Sequence, residues 1–235
     1  MSASAAWVEV DTGAVAHNLG AVRDALGPGA HVCAVVKADA YGHGVDLVAP
    51  TLIARGVESF GVTSNEEART VRATGFAGRI LRLRAALREE VEDAAGLAGL
   101  RPAMRLVSRI AAISAYPAGR TVGYDRTHRL DAPARLAAVP LGYADGYQRA
   151  LGGRAEVLVR GRRMPVVDRL AMNTLLVDVT CAEDAVIGDE VVLYGAQGAE
   201  RISGADLEHA SGQIAANLYT SWGRLLPRRA ISLSA

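Results

Sequence analysis

The stretch Ala34-Val35-Val36-Lys37-Ala38-Asp39-Ala40-Tyr41-Gly42-His43-Gly44 constrains this chain more than any other. An apolar run, Val32 to Val36, meets a lone lysine where it ends. It then passes through a glycine-rich turn into a helix-like segment, Val45 to Ile53. An unbroken apolar run of this length suits a parallel strand covered on both faces. The carboxyl ends of such strands are where α/β enzymes place their chemistry. Lys37 would stand there partly desolvated, a setting that favours the neutral amine as a nucleophile toward carbonyls. A lysine at a strand end is more commonly a solvated side chain or an ion-pair partner, so spacing alone does not assign the role.

The flanking sequence sets this run in a repeating pattern. Trp7 to Asp11 reads as a short strand, and Asp11 is placed to cap a helix in which Val15, Leu19, Val22 and Leu26 recur at helical spacing. Gly27-Pro28-Gly29 stops that helix. Ser59 to Val62 makes a second strand of the parallel set, and Ser64 with Glu67 forms a capping box for a helix to about Thr74. Ile80 to Leu83 is a third strand, and Ala86 to Leu97 reads as a third crossover helix. Alternating strands and helices are the rhythm of a parallel α/β barrel.

After Leu100 the rhythm changes. Strand candidates follow at Leu106–Ile113, Thr121–Tyr124, Leu136–Leu141, Ala155–Val159, Pro165–Val167, Leu175–Val179 and Glu190–Leu193, with turn residues between them. That is the pattern of an all-β domain, closed by a helical region, Ala205 to Leu218, that Ser203 caps. The expected fold class is therefore α/β plus all-β. Residues 12–98 form a truncated parallel (β/α) barrel fragment, residues 99–235 form a β domain, and an N-terminal strand at residues 6–11 joins the latter. Three strand–helix units cannot close a barrel of eight strands, and a three-stranded sheet leaves two pairing edges.

Composition narrows the function classes. Half of the residues are hydrophobic, and the net charge of +1 carries no signal for nucleic acid or an anionic membrane. Cys33 and Cys181 lie far apart with no metal-ligand spacing, and Cys33 falls in the expected buried strand. Met1 to Trp7 lacks the features of a signal peptide, and no stretch is long enough to span a bilayer. The expectation is a cytoplasmic protein without a metal, and no glycine-rich phosphate loop of the common nucleotide-binding types follows any strand.

A second stretch, Pro140-Leu141-Gly142-Tyr143-Ala144-Asp145-Gly146-Tyr147, reads by itself as an ordinary β turn. Taken with the Lys37 stretch, in the same relative order, it closely resembles the signatures of the alanine racemase family. The resemblance covers about Trp7 to Ala95 and about Leu100 to Arg229. It implies pyridoxal 5'-phosphate held by Lys37 as an imine, alanine as the substrate, and interconversion of its L and D forms. Racemisation takes the α-proton from one face of a planar carbanion and returns one to the other, so it needs an acid/base group on each side. By resemblance these are Lys37 and Tyr143. The tyrosine is supplied by the partner subunit of a head-to-tail homodimer.

Tyr41 matches a residue that contacts the cofactor phosphate. Met172, in Leu170-Ala171-Met172-Asn173, borders the substrate pocket, with Asn173 where the family has an acid. The segment Thr220 to Arg228 resembles the family terminus, with Arg224 where some members place a phosphate-contacting tyrosine. Between the two blocks the family carries further barrel strands, which bring the partner of the pyridine nitrogen and the phosphate cradle. A chain that keeps the two bases without that segment also fits a non-catalytic dimeric binding or assembly protein, or a decayed or wrongly joined gene.

Overall fold

Asp11 closes one element and opens the next: it ends β1 (Trp7–Asp11) and caps α1 (Thr12–Leu26), its carboxylate accepting from the Ala14 amide at 3.1 Å. The structure is a computed structural model that describes residues 5–83, 99–123, 126 and 128–232. The chain divides into two compact units, one of Val10–Ala103 with Arg228–Ala235, the other of Met1–Glu9 with Met104–Pro227.

In the first unit, β2 (Cys33–Val35) leads into α2 (Lys37–Tyr41) and α3 (Val45–Ala54). Then come β3 (Ser59–Val62), α4 (Asn65–Ala73) and β4 (Arg79–Arg82). The three strands form a parallel sheet in the order β2-β3-β4, with Val35 opposite Gly61 and Gly61 opposite Leu81. The Ser64/Glu67 capping box opens α4. The central strand β3 is buried along its whole length, and Phe60 on it meets Phe76 edge to face at 4.7 Å.

Exposure on the flanking strands departs from the sequence reading. Every residue of β2 is only half-buried, Cys33 included, because β2 is an edge of a three-stranded sheet. Of the four apolar residues spaced along α1, Leu19 is buried, while Leu26 is 45% exposed. The helix expected over 86–97 lies outside the described residues.

The second unit is antiparallel. It contains β5 (Met104–Arg109), β6 (Ala112–Tyr116), β7 (Thr121–Val122), β8 (His128–Arg129) and β9 (Ala134–Val139). These are followed by β10 (Glu156–Val159), β11 (Arg162–Val167), β12 (Leu175–Asp178), β13 (Glu190–Gln197) and β14 (Glu200–Ile202). Two helices, α5 (Gly204–Ser211) and α6 (Ala215–Leu225), complete the unit. The last strand, β15 (Arg228–Ile231), belongs to the first unit. The sheet order is β5-β13-β10-β11-β12-β9-β6, with β14 also paired to β13. A smaller hairpin, β7 with β8, stands apart from it, and Tyr124 beyond β7 is outside the described residues.

The run expected as one strand over 106–113 is two. The Ile110 amide still donates to Asp189, beside β13, but the next amide, Ala111, donates to Ala138 on β9. The backbone therefore changes partners there and β5 gives way to β6. The single helical region expected over 205–218 is likewise two helices, parted where Gly212 adopts a left-handed conformation at the end of α5. Trp222 on α6 is fully buried and tilted against Tyr194 at 5.7 Å.

Phe60 is fully buried at the centre of the parallel sheet. Phe60→Ala should therefore destabilise the first unit by roughly 3–5 kcal/mol, the cost of an emptied aromatic site. The check is a urea titration followed by far-ultraviolet circular dichroism.

Candidate functional site

The Lys37 segment is built on an unusual backbone. Val36 continues the line of β2, its amide donating to Gly61 O at 2.8 Å. Beyond Lys37, four consecutive residues that are not glycine turn left-handed: Ala38, Asp39, Ala40 and Tyr41, with φ between +52° and +56°. A left-handed helical residue costs roughly 1–2 kcal/mol in an L-amino-acid chain, so four of them cost about 4–8 kcal/mol. Such a turn persists only where its surroundings over-determine it.

The surroundings are visible at both ends. At the start, the Ala38 amide donates to Glu67 Oε1 at 2.8 Å. Glu67 Oε2 takes the Thr63 and Ser64 amides as part of the α4 cap. At the finish, Asp39 Oδ1 accepts from the Val45 amide at 2.8 Å, at the start of α3, and Asp39 Oδ2 pairs with Arg228 on β15. Within the turn, the Ala40 amide donates to Val36 O at 2.9 Å and the Gly42 amide to Ala38 O at 3.0 Å. A side chain at Gly44 would lie 2.7 Å from Asp46 Oδ1 and 3.1 Å from the Arg228 guanidinium, and φ there is +92°. Only glycine lets the chain pass under that arginine.

These bonds place Lys37 and Tyr41 side by side, with Nζ 5.6 Å from the centre of the Tyr41 ring. Both side chains are half-buried. Lys37 is the only lysine among the 235 residues; the other 25 of the 26 basic Lys and Arg residues are arginines. That count, open to inspection from the start, is a signal the motif reading missed. Nearby, burial pulls the His43 imidazole below its ordinary range, although its Nδ1 lies 2.8 Å from Ala40 O.

The Tyr143 segment lies in the second unit. After β9 the chain makes a 3-10 turn, Tyr143–Asp145, whose first amide bond is capped when Gly142 N donates to Asp145 Oδ2 at 2.9 Å. The turn is pinned to the segment carrying Met172. The Tyr143 amide donates to Ala171 O at 3.3 Å, and the Ala144 amide to Met172 O at 2.9 Å. A Cβ on Gly142 would sit 2.3 Å from Met172 O, so a side chain there is excluded. From the other side, the buried Trp222 Nε1 donates to Gly146 O at 3.1 Å. Tyr143 and Met172 are thus brought together by backbone bonds, and both reach solvent, at 40% and 55% exposure.

The second tyrosine of that stretch behaves differently. Tyr147 is fully buried, its hydroxyl has no hydrogen-bond partner among the described residues, and burial drives its pKa up. It is a core residue. The Arg149 guanidinium lies 5.9 Å from the Tyr143 ring centre, a contact the sequence reading did not foresee. Arg224 is exposed in the last turn of α6, in the unit that carries Tyr143. Among the described residues no three His, Cys, Asp or Glu side chains are placed to hold a metal ion. No described helix is long and apolar enough to cross a membrane.

Comparison with known proteins places this two-part architecture among the racemases. The model of the alanine racemase C-terminal domain matches residues 103–230, and that of the N-terminal domain matches residues 10–124. A broad specificity amino-acid racemase from Aeromonas hydrophila is 31% identical over 368 aligned positions, covering 97% of this chain and 90% of that protein. An alanine racemase from Syntrophobacter fumaroxidans is 45% identical over 127 residues, covering 54% of this chain and 34% of its own length. Among solved structures, alanine racemase from Bacillus anthracis with bound L-Ala-P aligns with a TM-score of 0.84 at 21% identity, covering 98% of this chain and 96% of that one. Alanine racemase from Bartonella henselae with covalently bound pyridoxal phosphate gives 0.83 at 18% identity, covering 97% and 100%.

The chain belongs to the alanine racemase family. The 368 aligned positions exceed its 235 residues, so the Aeromonas relative carries positions with no counterpart here. Among the described residues the parallel sheet has three strands and forms no closed barrel.

The anchoring carboxylates make the turn sensitive to acid. Burial raises the Asp39 carboxyl, but the Arg228 and Val45 bonds and the Arg228 charge outweigh it and hold the group below its ordinary 3.8. Burial likewise raises Glu67, and the bonds from Thr63, Ala38 and Ser64 hold it below 4.5. A carboxylate whose folded pKa is depressed contributes stability that is complete above its unfolded value and is lost as pH falls through the folded one. The urea midpoint should therefore drop between about pH 5 and about pH 2, and more shallowly in the Asp39→Asn/Glu67→Gln double variant.

Proposed function

We propose that this protein is a pyridoxal-phosphate-dependent amino-acid racemase that interconverts L- and D-alanine. The observation that carries the reading is the chain's only lysine, set beside Tyr41 at the carboxyl end of a parallel strand in a member of the alanine racemase family. The donor set suits the cofactor at two points. An amine, with no described carboxylate in ion-pair reach, meets an aldehyde, and the Tyr41 phenol beside it suits a phosphate. When bound, the cofactor supplies the electron sink that makes an amino-acid α-carbanion accessible.

The chain's own residues then divide the proton work. Lys37 Nζ would anchor the cofactor and would hold a proton on one face of the α-carbon. Tyr143 Oη holds one on the opposite face. Met172, bonded through its backbone to the Tyr143 turn, borders the substrate. Tyr143, Met172 and Leu225, the last 57% exposed and in contact range of Gly146, leave apolar surface open around the tyrosine. That surface supports a homodimer in which each Tyr143 serves the Lys37 of the other copy. Alanine is the substrate by family; the Aeromonas relative's broader printed activity makes a panel of amino acids the appropriate assay.

A second reading has its own support. The relatives' unmatched positions and the open three-stranded sheet favour a non-catalytic homologue that keeps the β domain as a dimeric binding or assembly module.

The two readings part in one assay. Pure protein is incubated with pyridoxal 5'-phosphate and L-amino acids, and D-product is measured by chiral chromatography. The racemase reading expects D-alanine, a background rate for Lys37→Ala, and a loss of about 10²–10⁴-fold for Tyr143→Phe, the usual worth of a general acid/base. A folded dimer that forms no D-amino acid and takes up no cofactor supports the second reading instead.

A further inference from the structure

We propose that Asp39 and Arg228 are a positioning pair for Lys37. They hold the left-handed turn closed and so fix the direction in which the amine leaves β2. This rests on reading Lys37 as the cofactor amine.

The turn is strained and its near anchor is local: Glu67 caps α4 and takes the Ala38 amide in passing. Its far anchor is not local. Asp39 sits in the middle of the left-handed run and commits both oxygens, one to the first amide of α3 and one to an arginine 189 residues away. Nothing in helix capping requires that arginine, since the Val45 amide is already served by the other oxygen. The guanidinium also lies over the exit of the turn, 3.1 Å from where a Cβ on Gly44 would stand. One cation therefore braces the turn twice, by charge on Asp39 and by packing on Gly44. Relaxation of Ala38 to Tyr41 toward right-handed backbone would swing Lys37 and Tyr41 away from each other. A guanidinium fork suits the task, because it is planar, always charged and delivered by a strand.

The single lysine makes the test direct. Protein is treated with cyanoborohydride and either pyridoxal 5'-phosphate or formaldehyde, and adducts on the Lys37 peptide are followed by mass spectrometry. The variants are Asp39→Asn, which keeps an acceptor for Val45 and tolerates left-handed backbone, and Arg228→Met. Arg228→Gln serves if the methionine variant fails to fold. Lysine is avoided at 228 because it would add a second amine.

In the native protein, labelling by pyridoxal 5'-phosphate should saturate with concentration. Each variant should lose about tenfold in the saturating rate, a displacement effect on a positioned group, while formaldehyde methylation stays near native when both are measured well below the thermal midpoint, which the lost anchor lowers. The double variant should be no slower than either single one. Hydrogen exchange at the Val45 amide should quicken in Arg228→Met while α1 amides do not change.

Native rates with pyridoxal 5'-phosphate in both variants overturn the proposal. So does an equal loss with both aldehydes in protein that is still folded, which marks a merely structural pair. Labelling of native protein that rises linearly without saturating overturns the cofactor reading instead. In that case, exchange at Val45 that is unaltered by Arg228→Met overturns the brace as well.

Discussion

A strand that runs into four left-handed residues needs its next contacts more than its next residues. The cost of that run, roughly 4–8 kcal/mol, is comparable with the whole folding free energy of many domains, about 5–15 kcal/mol. The run contains two alanines and no glycine, so none of its residues escapes that cost through its own conformational freedom. The offset comes from Glu67 at one end and from Asp39 with Arg228 at the other. The sheet, the first turn of α4, the start of α3 and the terminal strand thus all hold one five-residue segment. It is the segment that carries the lysine and the tyrosine.

The second unit reaches a similar end by different means. The Tyr143 turn carries no such strain, being an ordinary 3-10 turn with a capping aspartate. It is fixed instead by close backbone approach: Gly142 leaves no room for a side chain against Met172 O, and two backbone hydrogen bonds join the segments. Trp222 bonds the turn's far end from within the core. The result is an exposed phenol on a backbone anchored from three directions. An ordered backbone leaves less to be fixed when such a side chain meets a ligand.

Much of this could be read from sequence because it is written in consecutive residues. The strings around Lys37 and Tyr143, the Ser64/Glu67 box and the Asp11 cap each sit within a single turn or strand, where local chemistry decides. The change from a parallel to an antiparallel rhythm near Leu100 was legible for the same reason. What could not be read depends on distance. Ala-Asp-Ala-Tyr holds no glycine to announce four left-handed residues in a row, and the arginine that pairs with its aspartate, Arg228, lies 189 positions on. The break at Ile110 comes from a change of pairing strand, which hydrophobicity does not record. The half-exposure of Cys33 follows from how many strands flank it, a property of the sheet and not of the run.

The arginine bias of the basic residues has a practical corollary. Apart from the α-amine at the chain start, the molecule offers a bifunctional amine crosslinker one address per copy, and that address is Lys37. A lysine-specific protease would find a single scissile bond, Lys37–Ala38, at the entry of the left-handed turn. Resistance to that protease is therefore a gauge of whether the turn is closed.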